Sequence, residues 1–202
     1  MKLYYSPGAC SLSPHIVMRE AGIPVQLVKV DLKTKKTDDG TDFKTINSKG
    51  YVPTLETPDG QRLTEGPAIV QYLADQAPAR GLAAANGTIE RVRLQEWLGF
   101  ISTELHKQLS PLFDPACETT LRARQTEKVG NRFDWITKQL AGRDYLMGSN
   151  FTAPDAYLYT MLSWCRTVGI DLAKWPALIA YKARVEQRPQ VREALKAEGL
   201  LK

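Results

Sequence analysis

The fold is decided near the start of the chain by the sequence KLYYSPGACSLSP, residues 2–14. Its short aromatic beginning runs into a Ser-Pro-Gly stretch, which predicts a strand that ends in a turn. Apolar residues at helical spacing follow over Ser11–Ala21, and Gly22 stops the pattern, which predicts a helix. The sequence therefore predicts a strand that leads directly into a helix, with Cys10 at the junction.

Strands and helices continue to alternate to about residue 78. The β-branched stretch Val25–Val30 predicts a second strand, which should be parallel to the first because a crossover helix lies between them. A Pro-Asp-Gly hairpin signature separates two later strands. The remaining elements are a weak helical segment around Asp42–Ile46, strands at Thr54–Glu56 and Arg62–Thr64, and a helix at Glu65–Asp75. The order β-α-β-α-β-β-α is thioredoxin-like.

A second domain is predicted after residues 76–87, which are rich in Ala, Pro and Gly and are interpreted as a linker. Every later segment has helical spacing. The predicted helices lie near 88–114, 119–140, 153–168, 176–187 and 190–197. We therefore expect an α+β two-domain protein, with a thioredoxin-like domain at 1–80 and an all-helical domain at 87–202. The segment Thr152–Asp155 resembles a capping box, so Asp155 is interpreted as structural.

The composition excludes several classes of function. The net charge is +5, but acidic residues interrupt the basic ones, so we expect a small anionic ligand and no nucleic-acid partner. No stretch approaches the ~20 apolar residues of a membrane span, so no membrane association is expected. The three cysteines do not suggest a disulfide scaffold, and residues 1–30 show no signal-peptide pattern. We expect a cytoplasmic protein without a metal site.

Cys10 is the first candidate functional residue because a helix N-terminus stabilises a thiolate. Ser13 stands where a disulfide oxidoreductase would have its second cysteine, so Cys10 cannot close a local disulfide. It could pair with an external thiol or donate a hydrogen bond. The alternative is that Cys10 only packs, as buried cysteines often do. His15 is interpreted as structural or as a residue that supports Cys10.

Two further motifs fit the binding of a small peptide. Pro53 opens a strand and is a candidate for a cis peptide bond, which would turn the Val52 backbone outward to pair with an extended peptide. The alternative is a trans proline at an edge strand. At a helix start, Glu65 could accept an ammonium while the N–H groups from Gly66 onward hold a carboxylate, which suits an α-amino acid head. Alone, this motif is better explained as ordinary helix initiation, but beside Cys10 and Pro53 the binding of an amino acid head is the preferred interpretation.

His106 lies on the helix predicted for 88–114. At helical spacing, it shares a small, polar stripe with Gly99, Thr103 and Ser110. The apolar residues Leu94, Trp97, Leu98, Ile101, Leu105 and Leu112 fall on the opposite side. This stripe suits the wall of a cleft, although a surface histidine is the alternative.

Together, these motifs resemble the cytosolic glutathione transferases of the beta (bacterial) class. The resemblance covers essentially the whole chain and is carried by Tyr4–Ser11, Tyr51–Pro53, Glu65–Ile69 and Glu104–Lys107. It implies a homodimer with the glutathione transferase fold. It also implies a glutathione site that contains Ala9, Cys10, Lys35, Tyr51, Val52, Pro53, Glu65, Gly66, Gly99, Thr103, Glu104, His106 and Lys107.

The resemblance also implies individual roles. Val52 would give main-chain hydrogen bonds to the cysteinyl part of glutathione, Glu65 and Gly66 would hold the γ-glutamyl head, and Lys35 would meet the glycyl carboxylate. Two positions depart from the family pattern, because many relatives have Ser at Gly66 and Asn at Gly99. The glycine at position 66 removes a hydroxyl contact, and any side-chain contact from position 99 is in doubt.

The predicted function is detoxification by glutathione transfer, with glutathione as co-substrate and no cofactor. Cys10 and His106 are the candidate catalytic residues that lower the thiol pKa, and the thiolate attacks a small hydrophobic electrophile by conjugation or dehalogenation. One alternative is a monothiol, glutaredoxin-like reductase in which Cys10 attacks mixed disulfides. Another is a non-enzymatic, glutathione-dependent binding protein, since a fold alone does not fix a function.

Overall fold

The computed structural model describes residues 1–201, which form two compact units. Unit 1 contains residues 1–82 and 188–202, and unit 2 contains residues 83–187. The predicted domain ranges, 1–80 and 87–202, stay predictions. The packing adds that the last helix contacts the first helix of unit 1.

Unit 1 is built on a five-stranded sheet. The strands are β1 (Lys2–Tyr5), β2 (Gln26–Asp31), β3 (Lys36–Thr37), β4 (Thr54–Glu56) and β5 (Arg62–Thr64), in the order β3-β2-β1-β4-β5. β1 and β2 are parallel and β4 and β5 form an antiparallel hairpin, which confirms both predictions. β3 was not predicted, because two polar residues carry no alternation signal. The weak helical segment is confirmed as a single 3₁₀ turn, Phe43–Thr45.

Three helices complete unit 1: α1 (Leu12–Ala21), α2 (Gly66–Asp75) and α8 (Pro189–Ala197). α1 ends at Gly22, whose φ of 70° lies in the left-handed region that favours glycine. Leu3 and Tyr4 are neighbours in β1 and face opposite sides, yet both are buried, so the sheet is covered on both faces. On the Tyr4 face, the covering cluster contains Val30, Phe43 and Val52.

Unit 2 is helical. Its helices are α3 (Ile89–Phe100), α4 (Lys107–Leu109), α5 (Thr119–Gln139), α6 (Ala153–Val168) and α7 (Pro176–Glu186). α6 is almost entirely buried, as the sequence predicts. The structure corrects the single helix predicted for 88–114. A π-helical segment, Ile101–His106, follows α3, and a 3₁₀ turn, Ser110–Phe113, follows α4. Pro111 has no N–H to continue an α-helix, which explains the tightening at this end.

Candidate functional site

Cys10 lies in a tight loop between β1 and α1. The Ser11 hydroxyl closes this loop, because it accepts from the Ser6 N–H at 3.1 Å and donates to the Ser6 carbonyl at 3.2 Å. The Ala9 N–H donates to the same carbonyl at 3.0 Å. α1 begins at Leu12 with Ser11 as its N-cap, so Cys10 lies two residues before the first turn. The loop therefore presents the thiol at a helix N-terminus, as predicted.

The Cys10 thiol contacts the second predicted motif, Tyr51–Pro53. Its Sγ donates to the Val52 carbonyl at 3.2 Å, and the Val52–Pro53 peptide bond is cis, which confirms that prediction. Ala9 packs against the cluster that contains Val52. Within residues 1–201, the Val52 N–H has no hydrogen-bond acceptor. Two motifs that are distant in sequence thus meet.

The third motif lies at the same edge of the sheet. The register pairs Tyr4 with Thr54 and Thr54 with Thr64. Consequently, three chain segments lie at the same edge of the sheet: the loop after β1, the segment before β4 and the segment after β5. Glu65 follows β5 directly and has a φ of +66°, which a non-glycine residue rarely adopts. Such a conformation is often found at functional sites.

Sequence reasoning missed a partner of Glu65. Lys49 Nζ lies 2.7 Å from Glu65 Oε1 and 2.8 Å from Thr64 Oγ1. The Glu65 side chain is 71% exposed, so this ion pair is open to solvent and to exchange for another ammonium. Lys49 is one of several lysines in a polar stretch, and no local pattern distinguishes it. The strand register brings it to Glu65.

Lys35 and Tyr51 lie next to this edge. Lys35 Nζ donates to the Gly50 carbonyl at 3.1 Å, and its φ of +58° makes it the second non-glycine residue in the left-handed region. Tyr51 is exposed, and its carbonyl accepts from the Asn47 amide at 2.8 Å. Five predicted site residues of unit 1, from Lys35 to Glu65, therefore surround one edge of the sheet with Cys10.

The backbone does not require glycine at position 66 or position 99. Neither has a positive φ, and a Cβ at either position would meet no atom within 4 Å. The two departures from the family pattern thus leave open space and introduce no change of backbone.

The predicted site residues of unit 2 lie on and just after α3. The Thr103 hydroxyl donates to the Gly99 carbonyl at 3.1 Å, and Glu104 forms an ion pair with Arg132 at 2.7 Å. Lys107 is exposed and follows the π-helical segment. Arg132 was not identified from the sequence, since it lies 28 residues beyond Glu104 on α5.

His106 is half-buried among aromatic rings. Its Nδ1 lies 2.6 Å from the Tyr157 hydroxyl oxygen, and its ring meets the rings of Tyr157 and Trp164 edge to face. Phe113 packs edge to face on Trp164. We call Tyr157, Trp164 and Phe113 the aromatic cage. The predicted polar stripe is confirmed, since Gly99, Thr103 and Ser110 are exposed. The aromatic cage was not predicted, because the sequence of α6 indicates only a buried apolar helix.

Over residues 1–201, no helix is long and apolar enough to span a membrane. The same residues contain no group of three or more His, Cys, Asp or Glu side chains that could hold a metal ion.

Comparison with known proteins gives matches along the whole chain. The model of the glutathione S-transferase N-terminal domain matches residues 8–76, and that of the C-terminal domain matches residues 100–189. The chain is 42% identical to glutathione S-transferase GstA of Escherichia coli O157:H7, over 99% of this chain and 100% of that protein.

Two solved structures are similar over the same extent. One is a sphingomonad glutathione S-transferase complexed with glutathione, with 52% identity and a TM-score of 0.95 over 99% of this chain and 100% of that one. The other is a bacterial beta class glutathione S-transferase of Sphingomonas chungbukensis, with 47% identity and a TM-score of 0.96 over 100% of both chains.

Proposed function

The chain belongs to the glutathione S-transferase family, and from this premise we propose that it activates the thiol of glutathione for attack on small hydrophobic electrophiles. The observation that carries the proposal is the contact between the Cys10 thiol and the Val52 carbonyl at the start of α1. It joins a helix N-terminus, which favours an anion, to the Val52 peptide group, whose N–H has no acceptor within residues 1–201 and can pair with a bound peptide.

The ends of glutathione fit the groups around this contact. Glu65 accepts the ammonium of the γ-glutamyl head in place of Lys49, which now occupies that carboxylate. Pro67 has no N–H and the Ala68 N–H donates to the Glu65 carbonyl, so Gly66 supplies the N–H for the head carboxylate. Lys35 provides the positive charge for the glycyl carboxylate. The similar sphingomonad enzyme was solved with glutathione, which supports this assignment.

The chemistry assigned to the site is nucleophilic substitution or addition. The thiol of bound glutathione loses its proton to solvent, and the thiolate attacks an electrophilic carbon. With an aryl chloride, the new C–S bond forms as the C–Cl bond breaks and chloride leaves. Thr103, Glu104, His106 and Lys107 stay predictions as glutathione-binding residues. Glutathione is a co-substrate, and no step is assigned to a metal or resident cofactor.

The first prediction concerns the thiol of bound glutathione. Its pKa should fall by about two units toward neutrality, which corresponds to about 2.7 kcal/mol. Ultraviolet difference titration of the thiolate, with and without glutathione, measures this shift. The Cys10→Ser variant is the matched control, because it removes the protein thiol whose titration could be mistaken for that of glutathione and keeps a hydrogen-bond donor. A bound thiol that titrates like free glutathione would refute the activation.

A second prediction separates conjugation from reduction. Cys10→Ser should keep conjugation of 1-chloro-2,4-dinitrobenzene within about tenfold, because the serine hydroxyl still donates a hydrogen bond worth about 1 kcal/mol. The same variant should no longer form a mixed disulfide with oxidised glutathione, since no sulfur remains to attack it. Mass spectrometry detects the adduct. Loss of both activities together would favour the reductase alternative, in which Cys10 is the nucleophile.

Three wider assignments belong to the same proposal. A role in detoxification follows if the electrophiles are toxic halides or related compounds. A cytoplasmic location is supported by the thiol state of the three cysteines, since disulfides are rare in that compartment. The two alternatives predicted from the sequence, a glutaredoxin-like reductase and a non-enzymatic binder, are less well supported, because two relatives that match 99% of the chain are named glutathione S-transferases.

A homodimer is also proposed. The rings of Trp97, Phe100 and Trp135 contact one another in unit 2, and Trp135 is 41% exposed. Ile89 and Val92, which are nearby in sequence, are 61% and 50% exposed. Exposed apolar patches of this kind often mark association surfaces. We expect sedimentation equilibrium to give the mass of a dimer and Trp135→Asp to shift the equilibrium toward the monomer. A wild-type monomer at micromolar concentration would refute the proposal.

A further inference from the structure

Asn47 is a buried polar residue between the 3₁₀ turn Phe43–Thr45 and β4, and it is 7% exposed. Its Nδ2 group donates to the Tyr51 carbonyl at 2.8 Å and to the Thr54 hydroxyl at 3.1 Å. Its Oδ1 atom accepts from the Lys49 N–H at 3.2 Å. A backbone N–H only donates and a carbonyl oxygen only accepts, so these partners fix which end of the carboxamide faces each of them.

The backbone brings the Tyr51 carbonyl to this side chain. The Asn47 N–H donates to the Phe43 carbonyl at 2.9 Å, and the Gly50 N–H donates to the Asn47 carbonyl at 2.8 Å. Gly50 has a φ of +65°, a conformation that favours glycine, so the chain turns back at this residue. The hydroxyl of Thr54, a fully buried residue of β4, also donates to the Tyr51 carbonyl at 3.4 Å. That oxygen is therefore held both from the loop and from the sheet.

The position of this oxygen sets the direction of the Val52 N–H. Tyr51 and Val52 are joined by a trans peptide bond. In a planar trans peptide group, the C=O and the N–H point in opposite directions. Because the Tyr51 carbonyl points to the buried Asn47 carboxamide, the Val52 N–H points away from it, and it has no acceptor within residues 1–201. The Val52 carbonyl accepts from the Cys10 thiol at 3.2 Å, so the unbonded N–H belongs to the residue that contacts that thiol.

We propose that Asn47 is a positioning residue that fixes the plane of the Tyr51–Val52 peptide group and thereby presents the Val52 N–H to the cysteinyl part of glutathione. This inference rests on the proposed function for its ligand. Without the carboxamide, the peptide group is free to rotate and must be ordered when the ligand binds, which lowers affinity. Asn47 acts on glutathione only through this peptide group, so its replacement should change binding more than the chemical step.

The geometry is testable without a ligand. The Asn47 NH₂ group is buried and donates two hydrogen bonds, whereas Asn131 on α5 is exposed. In ¹⁵N-labelled protein free of glutathione, the Asn47 side-chain protons should exchange with solvent at least about tenfold more slowly than those of Asn131. Asn47→Ala assigns the signals. Equal exchange rates at the two asparagines would overturn the geometry and the inference with it.

Two variants separate the NH₂ group of Asn47 from its oxygen. Asn47→Asp keeps the size of the side chain and the acceptor for the Lys49 N–H but replaces the NH₂ group by an oxygen, and Asn47→Ala removes both. In conjugation of 1-chloro-2,4-dinitrobenzene, the KM for glutathione should rise about threefold to tenfold in Asn47→Ala and at least as much in Asn47→Asp, with kcat within about twofold of wild type. If Asn47 only held the turn through its oxygen, Asn47→Asp would keep the wild-type KM.

Asp42→Ala is the matched control for general loosening of this loop. The Asp42 carboxylate caps the other end of the same 3₁₀ turn, where it accepts from the Lys44 N–H at 2.9 Å. Its removal should lower stability and leave the KM for glutathione unchanged. A rise in KM equal to that of Asn47→Ala would show that the order of the loop, and not the direction of one peptide group, sets the affinity, and the inference would be wrong.

The Val52 amide signal separates the inference from the function on which it rests. When wild-type protein binds S-methylglutathione, which has no thiol to react, the Val52 amide proton should shift downfield because the N–H gains an acceptor. Binding without this shift overturns the inference and leaves the proposed function standing. A wild-type protein that binds no glutathione would instead contradict the proposed function, and the exchange rate of the Asn47 NH₂ group would still decide whether the peptide plane is fixed.

Discussion

Asp155→Ala is expected to lower the free energy of unfolding by about 3–5 kcal/mol, because it removes a buried carboxylate that accepts four hydrogen bonds. The carboxylate is fully buried at the start of α6. Oδ1 accepts from the Leu146 N–H at 2.9 Å and the Tyr181 hydroxyl at 2.7 Å. Oδ2 accepts from the Thr152 N–H at 2.8 Å and the Thr152 hydroxyl at 2.9 Å.

These bonds join three parts of unit 2: the segment before α6, the start of α6 and α7. Burial raises the pKa of Asp155, and the four hydrogen bonds act in the opposite direction. Burial and the neighbouring Asp155 charge also raise the pKa of Tyr181, which keeps that hydroxyl protonated as a donor. Asp155 thus confirms the structural role predicted from its capping-box position, and it extends that role to α7.

Two variants calibrate the measurement. Asp155→Asn keeps one acceptor oxygen but turns an NH₂ group toward two of the donors, so we expect about half the loss seen with alanine. Asp171→Ala removes an exposed carboxylate that caps only the Ala173 N–H, and it should cost about 1 kcal/mol or less. Urea unfolding monitored by far-ultraviolet circular dichroism gives the free energies. An alanine variant as stable as wild type would contradict the account of Asp155.

The sequence predicts the parts of the site that depend on local geometry. Cys10, Pro53 and Glu65 each stand at the end of a strand or the start of a helix, and turn and cap residues mark such places. The structure brings these three motifs to one edge of the sheet because β1 runs antiparallel to β4 and β4 to β5. The sequence predicts four of the strands and two of their pairings, whereas the order of the strands in the sheet comes from the structure.

The residues that the sequence could not reveal depend on long-range packing. Lys49 pairs with Glu65 only through the register of two strands, and Tyr157 meets His106 across 51 residues. The π-helical segment was also not predicted, because the apolar spacing of α3 continues unchanged through Ile101 and Leu105. The spacing of apolar residues indicates which face of a helix is buried, but it does not indicate a turn that is wider by one residue.

Glu198 is the most distant of these residues, and its replacement is the second large effect that we expect. Its side chain is fully buried just after α8. The carboxylate accepts from the Gly8 N–H at 2.9 Å and from His15 Nδ1 at 2.8 Å, 183 residues away in the sequence. Burial and the Glu198 charge raise the pKa of Tyr5, which lies at the end of β1. The contact with Glu198 favours the structural role, which is one of the two roles predicted for His15.

Glu198→Ala should lower the free energy of unfolding by about 2–4 kcal/mol, because it leaves the Gly8 N–H and the His15 ring without their shared acceptor. The loop from Ser6 to Ser11 should also loosen, since Gly8 loses its anchor two residues before Cys10. Hydrogen exchange at the Gly8 amide should accelerate, and the KM for glutathione should rise severalfold. Glu198→Gln keeps one acceptor oxygen and should give a smaller effect in the same direction.

Matched measurements separate this local effect from general damage. Glu193→Ala removes an exposed carboxylate on the same helix, paired only with Lys196, and should leave both exchange and KM unchanged. Amides of α6 in unit 2 should exchange at the wild-type rate in native conditions, because their protection comes from a different core. If Glu198→Ala lowers stability but leaves the Gly8 amide and the KM as in wild type, the carboxylate anchors α8 alone. The loop that carries Cys10 would then be held by the Ser6–Ser11 hydrogen bonds without its help.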